Sequence, residues 1–288
     1  MIRFVCALLL ILPGLLSAEP LRVFVSVLPI QYFVEQVGGE HVQVQALVRP
    51  GHSPHNYDPS PQQIAALSRA QLYLRTGVPF ENAWMARIRS TNPAMRVVDL
   101  REGIELFPAP VSEHAHEHEH EHEAHEAFDP HIWTDPQRVM HMAGVIRDNL
   151  IDLDPGHRAD YEQNHHRFVA QLQRLDGQIE ALLKPVQHRS FLVYHPSWGY
   201  FAHRYGLLQV PIEYEGKEPG ARALTALIDQ ARREDIRVIF VQPQFDRRLA
   251  TQVARAIDGR VIAVDPLALD YIQNLRHVAE QFAGVLQP

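Results

Sequence analysis

HRADYEQNHHRFVAQLQRLDGQIEALLKPV, residues 157–186, is the stretch that decides the fold. Its large apolar side chains recur at intervals of three, four or seven residues: Tyr161, Phe168, Leu172, Leu175, Ile179 and Leu182. This spacing places them along one face of a helix of about seven turns. The pair Lys184-Pro185 ends it, because proline disfavours helical backbone in the residue before it. A helix of this length in the middle of the chain is well suited to joining two lobes.

Strand and helix patterns alternate on both sides of this helix. Before it, strands are predicted in LRVFVSVLPI (21–30), GEHVQVQALVRPG (39–51), residues 72–74 and MRVVDL (95–100), with helices within 59–77 and in the second half of 129–155. After it, strands are predicted in SFLVYHP (190–196), LQVPIEYEGKEPG (208–220), IRVIFVQP (236–243) and RVIAVDP (260–266), with helices over 197–207, 221–235 and 246–259. Such alternation is typical of parallel α/β sheets.

The first 18 residues have the pattern of a signal peptide. Arg3 supplies a positive charge, residues 4–16 are apolar, and Leu16-Ser17-Ala18 offers small residues for cleavage. The alternative is an N-terminal anchor helix, but the apolar run is short for a membrane span. Cys6 is the only cysteine of the chain. An exported mature protein would therefore lack disulfides, and its metal ligands would have to be His, Asp or Glu.

The charge balance excludes one class of partner. The full chain of 288 residues carries a net charge of −7 with neutral histidines, which becomes −8 once residues 1–18 and Arg3 are removed. An acidic protein of this kind is a poor candidate for nucleic-acid binding. Its field suits the attraction of cations.

Residues 114–126, HAHEHEHEHEAHE, contain a third of the 18 histidines. These are His114, His116, His118, His120, His122 and His125. The run matches the zinc-protease pattern H-E-x-x-H, but any His-Glu repeat produces that match automatically. No apolar residue larger than alanine occurs between Val111 and Phe128, so nothing here could pack against a core. We therefore predict a solvated loop over 113–126 that binds metal weakly, because its histidines must first be ordered.

Four better candidate ligands stand near predicted strand or helix ends, each beside a proline. They are His55, His131, His195 and Asp265. In open parallel sheets, ligands bind at the carboxyl ends of strands, and neighbouring prolines reduce the cost of ordering a site. Three imidazoles and one carboxylate form an appropriate ligand set for tetrahedral zinc. Each residue also has an ordinary structural interpretation: an exposed loop for His55, a turn for His131 and Asp265, and a hydrogen-bonded core position for His195.

Several stretches in chain order carry a resemblance to a known family. They are GHSPHNYDPSP (51–61), DPHIWTDP (129–136), YHPSWGYFAHRYGL (194–207), EGKEPGARALTALIDQARREDIRVIFVQPQFD (215–246) and VDPL (264–267). The chain resembles the ZnuA-like, or cluster A-I, periplasmic zinc/manganese-binding proteins of ABC importers over essentially all of its mature length. The resemblance implies an α/β fold of two lobes, each a four-stranded, mainly parallel sheet flanked by helices. The lobes would span 19–155 and 186–288, joined by one long backbone helix over 156–185.

The resemblance also implies the metal ligands. They fall on His55, His131 and His195, with Asp265 or a water in the fourth position. Some zinc members have a glutamate just before the first ligand, and here that place is Pro54. Three imidazoles favour Zn²⁺ over Mn²⁺, which prefers more oxygen ligands, so Mn²⁺ is the less favoured ion.

The function implied is capture and delivery of Zn²⁺, not catalysis. A periplasmic, monomeric protein would load one ion and dock on a membrane permease with its ATPase, which would be its only contact with the membrane. The alternatives are an exported zinc hydrolase, whose zinc would keep an open position for water, and a secreted metal-buffering or adhesin-like protein. Because imidazoles coordinate only when neutral, zinc affinity is expected to fall as pH approaches the ordinary histidine pKa of about 6.5.

Overall fold

Two four-stranded sheets lie on either side of one long helix in the computed structural model, which describes residues 19–110, 128–214 and 216–286. The strand orders are β2-β1-β3-β4 and β6-β5-β7-β8, and all described strand pairs are parallel. The two-lobed α/β prediction is thus confirmed. The predicted signal peptide and the His/Glu run lie outside the described residues.

The N-terminal lobe and the C-terminal lobe repeat the same strand–helix rhythm. The first contains β1 Leu21–Val25, α1 Leu28–Gly38, β2 Val42–Ala46, α2 Pro61–Leu67, β3 Leu72–Arg75, α3 Pro79–Thr91, β4 Arg96–Asp99 and α4 Pro136–Leu153. The long helix is α5 Arg158–Leu183. The second lobe contains β5 Ser190–Val193, α6 Gly199–Arg204, β6 Leu208–Pro211, α7 Ala221–Arg233, β7 Val238–Val241, α8 Arg248–Ala256, β8 Arg260–Ala263 and α9 Tyr271–Val285.

Helix α5 buries the apolar stripe read from its sequence, with Leu183 fully buried and Leu182 only partly so. It packs against α1, α4 and the C-terminal helix α9. The ring of Tyr271, at the start of α9, meets Phe33 of α1 edge-on at 4.8 Å. At the far end of α9, Phe282 stacks on Phe240 of β7 at 4.0 Å. The two lobes therefore share one continuous hydrophobic core.

A buried carboxylate reinforces this connection. Asp176, in the middle of α5, accepts hydrogen bonds from Arg204 Nη2 at 2.6 Å and from the Tyr205 hydroxyl at 2.9 Å. Both partners belong to the C-terminal lobe, at the end of α6. Because the bonds to Arg204 are charge-assisted, they hold the lobe firmly against the long helix.

Three helices were not predicted from the sequence patterns: α1, α3 and α9. The apolar run over 21–30 suggests one strand, but β1 ends at Val25 and α1 begins at Leu28. Pro29 stands in the first turn of α1, where its fixed φ suits a helix and its missing N–H costs nothing. None of the helices in the described ranges is both long enough and apolar enough to cross a membrane.

Candidate metal centre

The three candidate histidines come from three separate segments that end at the cleft between the lobes. His55 lies in the loop between β2 and α2, and His131 immediately precedes the 3-10 turn Ile132–Thr134 that leads into α4. His195 follows the end of β5 by two residues. His55 follows β2 of the first sheet and His195 follows β5 of the second, so positions distant in sequence converge here because the two lobes pack against each other.

The imidazoles lie close enough to hold one ion. One ring nitrogen from each histidine lies within 4.8 Å of the others, and no other such group of three was found among the described residues. His55 Nε2 and His195 Nε2 are 2.8 Å apart. Zinc–nitrogen bonds of about 2.0–2.1 Å in a tetrahedral site separate ligand nitrogens by about 3.3 Å. To hold a cation, the His55 and His195 rings must move slightly apart, and any nitrogen pair near the 4.8 Å limit must move closer together.

Buried carboxylates orient two of the three rings. His131 Nδ1 donates to Asp129 Oδ1 at 2.6 Å, and His195 Nδ1 donates to Glu213 Oε1. Both carboxylates are almost fully buried, at 3% exposed for Asp129 and 1% for Glu213. Since Nδ1 carries the proton, Nε2 of each ring presents its lone pair to the cleft. Metal-ligating histidines commonly have such partners, which fix the tautomer and raise the basicity of the ligand.

The same carboxylates set the charge of the centre. When the three imidazoles are neutral, as coordination requires, the two carboxylates supply negative charge that a divalent cation would neutralise. Unpaired buried charge is costly, so a dication would relieve the repulsion between the two carboxylates. The arrangement favours a divalent over a monovalent ion.

His55 is held differently, by the loop that carries it. The amide of Phe80, in the first turn of α3, donates to the carbonyl of Pro54 at 3.1 Å. Downstream, Ser60 and Gln63 form a reciprocal cap at the start of α2, and Gln63 also accepts from the Tyr57 hydroxyl at 3.0 Å. The described hydrogen-bond partner of the His55 ring is His195, not a carboxylate. His55 thus depends on backbone anchoring for its position.

Burial lowers the pKa of two of the three ligands, His55 and His195. It lowers the pKa of His55 to about 2, with a further contribution from the neighbouring His195 and His131. Burial also lowers the pKa of His195, although hydrogen bonding to Glu213 opposes that shift. The pH at which protons compete with zinc therefore lies lower than the ordinary histidine pKa suggested.

The walls of the centre leave little space for water. A cavity of about 10 Å³ separates the imidazoles from Gln242, Gln244, Phe245, Pro266 and Leu267. Phe245 stacks on the His195 ring at 5.1 Å. The side-chain amide of Gln242 donates to the His195 carbonyl at 2.6 Å. A space of this size holds about one water-sized particle, so an ion must enter largely dehydrated.

Asp265 lies beside the three imidazoles, outside their group. Its Oδ1 accepts from Gln244 Nε2 at 2.9 Å and from the backbone N–H of Leu267 at 2.9 Å. The second bond is a turn-stabilising contact two residues along the chain, the ordinary role of an aspartate before a proline-containing turn. In this conformation Oδ1 is engaged by these two bonds, and Asp265 is not part of the three-histidine group found among the described residues.

Sequence patterns missed the two orienting carboxylates. Asp129 stands two residues before His131 in DPHIW, and it could have been found from that spacing. Glu213 carries no such signal, because it lies 18 residues after His195. Only the pairing of β5 with β6 brings the two together.

The fold and the centre together define a two-lobed α/β protein with a candidate three-histidine metal site between its lobes. A sequence model of the zinc-uptake complex component A, periplasmic, or ZnuA, matches residues 23–285. The chain belongs to this family, as its motifs predicted.

Three comparisons place it within that family. The high-affinity zinc uptake system protein ZnuA of Bacillus subtilis is 29% identical over 259 residues, covering 87% of this chain and 80% of the relative. The manganese-binding lipoprotein MntA of Halalkalibacterium halodurans is 26% identical over 284 residues, covering 94% and 90%. A crystal structure of a ZnuA deletion mutant with zinc bound superposes with a TM-score of 0.86 at 38% identity, covering 94% of this chain and 99% of that one.

Proposed function

We propose that this protein captures one Zn²⁺ ion in the periplasm with His55, His131 and His195 and delivers it to an ABC importer. The observation that carries the proposal is the convergence of three neutral imidazoles, two of them backed by buried carboxylates. A water fills the fourth position, or Asp265 does so after leaving its contact with Gln244. Three protein nitrogens and one further donor suit tetrahedral zinc.

Zinc is favoured over manganese by the donor atoms. The three ligands are nitrogens, whereas Mn²⁺ prefers carboxylate, carbonyl and water oxygens. The carboxylates of Asp129 and Glu213 accept hydrogen bonds from the ligand rings, so they support the ligands rather than coordinate. Mn²⁺ remains the alternative cargo, because the relatives include a manganese-binding lipoprotein.

Binding is favoured over hydrolysis by the dimensions of the centre. A cavity of about 10 Å³ accommodates an ion but not a substrate beside it. A hydrolase also needs a general base within reach of the zinc-bound water. The two nearest buried carboxylates are instead engaged with imidazole N–H groups, which supports a role in holding the ion.

A role in zinc transport also gives a function to the remaining parts of the chain. Residues 1–18 direct export, and the mature monomer contacts the membrane only through the permease with its ATPase. The run 113–126 serves as an accessory, weakly binding loop that concentrates zinc near the centre. The acidic surface suits cation capture and gives no basis for nucleic-acid binding.

Calorimetric titration and metal analysis of untagged residues 19–288 test this function. We expect one tightly bound Zn²⁺ per chain and its loss in a His131→Ala/His195→Ala double variant. His277→Ala, on the exposed face of α9, is the matched control and should bind normally. Growth of a strain lacking the gene in chelator separates transport from mere buffering, since only an importer component leaves cells starved of zinc. Tight zinc binding without this growth defect would overturn the importer assignment.

A further inference from the structure

A second, larger cavity adjoins the three-histidine centre. It has a volume of about 200 Å³ and lies between the two lobes. Arg49 and His52, in the loop after β2, line it from the N-terminal lobe, and Asp265, Leu267, Ala268 and Leu269 line it from the C-terminal lobe. Gln244 and Leu267 line both this outer cavity and the inner one. The outer cavity is therefore a direct approach to the centre.

The difference in volume between the two cavities determines how much of its hydration water an ion can keep. Each water occupies about 30 Å³ in the liquid, so the outer cavity accommodates a cation with much of its hydration shell. The inner cavity, at about 10 Å³, does not. A zinc ion that takes this route must lose water at the boundary between them. Protein ligands placed there would replace departing waters and lower the barrier.

His52 is arranged to act as such a ligand. Its Nδ1 donates to the carbonyl of Pro50 at 3.1 Å. In a neutral imidazole this leaves Nε2 as the acceptor, with its lone pair available. The ring also meets Tyr57 edge-on at 5.8 Å, which limits its orientation. His52 is exposed, whereas the three ligands of the inner centre are partly or fully buried.

Asp265 supplies a negative charge to the same cavity. Both of its described hydrogen bonds fall on Oδ1, from Gln244 and from Leu267. Oδ2 is thus left for a cation or its waters. The cationic group on the same cavity, Arg49, directs Nη2 towards Ser60 Oγ at 3.3 Å. A nitrogen ligand and a carboxylate oxygen that line the same cavity are suitable donors for Zn²⁺.

We propose that His52 and Asp265 form an outer zinc site at which the hydrated ion exchanges water for protein ligands before it reaches His55, His131 and His195. This inference rests on the proposed zinc capture and adds a step to it. Because the outer site is occupied only in passage, it changes the height of the barrier and not the stability of the loaded state. His52 is the residue to test, since Asp265 is also a candidate for the fourth position of the inner centre.

Stopped-flow measurement on residues 19–288 tests the outer site. Association is followed by mixing apoprotein with Zn²⁺ and a zinc-responsive dye, and dissociation by mixing loaded protein with excess chelator. For His52→Ala we expect both rate constants to fall about ten-fold, which corresponds to a barrier raised by about 1.4 kcal/mol. The dissociation constant should then stay unchanged. His277→Ala serves as the control and should show wild-type rates.

A rescue variant separates coordination from structure. His52→Asp restores a zinc ligand and should recover most of the association rate, whereas His52→Gln should behave like His52→Ala. Unchanged rates in His52→Ala would overturn the outer site while leaving zinc capture intact. A weaker dissociation constant with an unchanged association rate would also overturn it, because His52 would then belong to the final site or its framework. Failure of the wild-type protein to bind zinc would instead remove the proposed function itself.

Discussion

The two arms of the metal centre are built on different principles. In the first arm, defined by His131 and His195, each imidazole donates to a buried carboxylate on its far side. In the second arm, the loop carrying His55, the ring is positioned by backbone anchors such as the Phe80–Pro54 hydrogen bond. A carboxylate behind a ligand supplies charge as well as orientation. The first arm should therefore carry most of the electrostatic attraction for the ion, and the second should complete its enclosure.

The largest expected effect is loss of a ligand from the carboxylate-backed arm. Structural zinc sites bind with about 10–16 kcal/mol, or about 3 kcal/mol per ligand, so His195→Ala should weaken zinc about 10²–10³-fold. It should also leave Glu213 buried without its partner, which lowers the stability of the apoprotein. Chelator-competition titration and urea unfolding measure the two effects. Equal affinities of His195→Ala and wild type would show that the ion binds elsewhere.

Substitution of a supporting carboxylate comes next in size. Glu213→Gln keeps an oxygen that accepts from His195 Nδ1 but removes the charge, and partners of this kind are worth about 10–100-fold in metal affinity. Glu218→Gln is the matched control, because Glu218 lies on the same segment and is exposed. Competition titration of both variants compares them directly. If Glu213→Gln bound zinc like the control, the proposed charge difference between the arms would be wrong.

Acid provides a smaller effect that tests the His55 arm. The pKa of His55 is about 2 in the folded protein and about 6.5 in the unfolded chain. The unfolded chain therefore binds more protons between these two pH values. The free energy of unfolding of the apoprotein should therefore decrease as pH falls below 6.5, by up to about 1.4 kcal/mol per pH unit from His55. Urea unfolding between pH 7.5 and pH 5 measures this slope. His55→Ala should flatten it, and parallel slopes in the two proteins would contradict the lowered pKa.

The features that could be predicted from the sequence are those that depend on local periodicity or on short motifs. The stripe from Tyr161 to Ile179 specified α5, because a helix buries residues of period 3.6 on one face. Strand ends beside prolines pointed to His55 and His195, and the turn DPHIWTDP before a helix pointed to His131, because ligands bind beyond the carboxyl ends of strands and prolines reduce the cost of ordering a site. These signals are contained in short windows of the chain.

The features that could not be predicted depend on contacts between distant segments of the chain, or on which of two local partners or structures is formed. The contact of Glu213 with His195 exists only because β6 lies beside β5. Asp265 was predicted as a possible fourth ligand from its position after β8, and the sequence did not show that its Oδ1 also accepts from the nearby N–H of Leu267. A residue pattern does not tell which of two available partners a carboxylate takes. Helix α1 was missed for a related reason, since a continuous apolar run is compatible with a buried strand or a buried helix.

The smallest expected effect comes from deleting 113–126, which should leave both arms of the centre and their difference intact. The flanking residues Pro108 and Phe128 pair as an antiparallel bridge, and Asp129 N donates to the Phe107 carbonyl at 2.9 Å, so the shortened chain can rejoin without moving His131. By calorimetry, the tight zinc should remain with its affinity unchanged within about two-fold, the range of surface changes. Only weak additional binding should disappear, because those histidines must be ordered by each ion they bind. If the deletion variant lost tight zinc binding while the His195→Ala variant bound zinc normally, residues 113–126 would be the functional site and not the three-histidine centre.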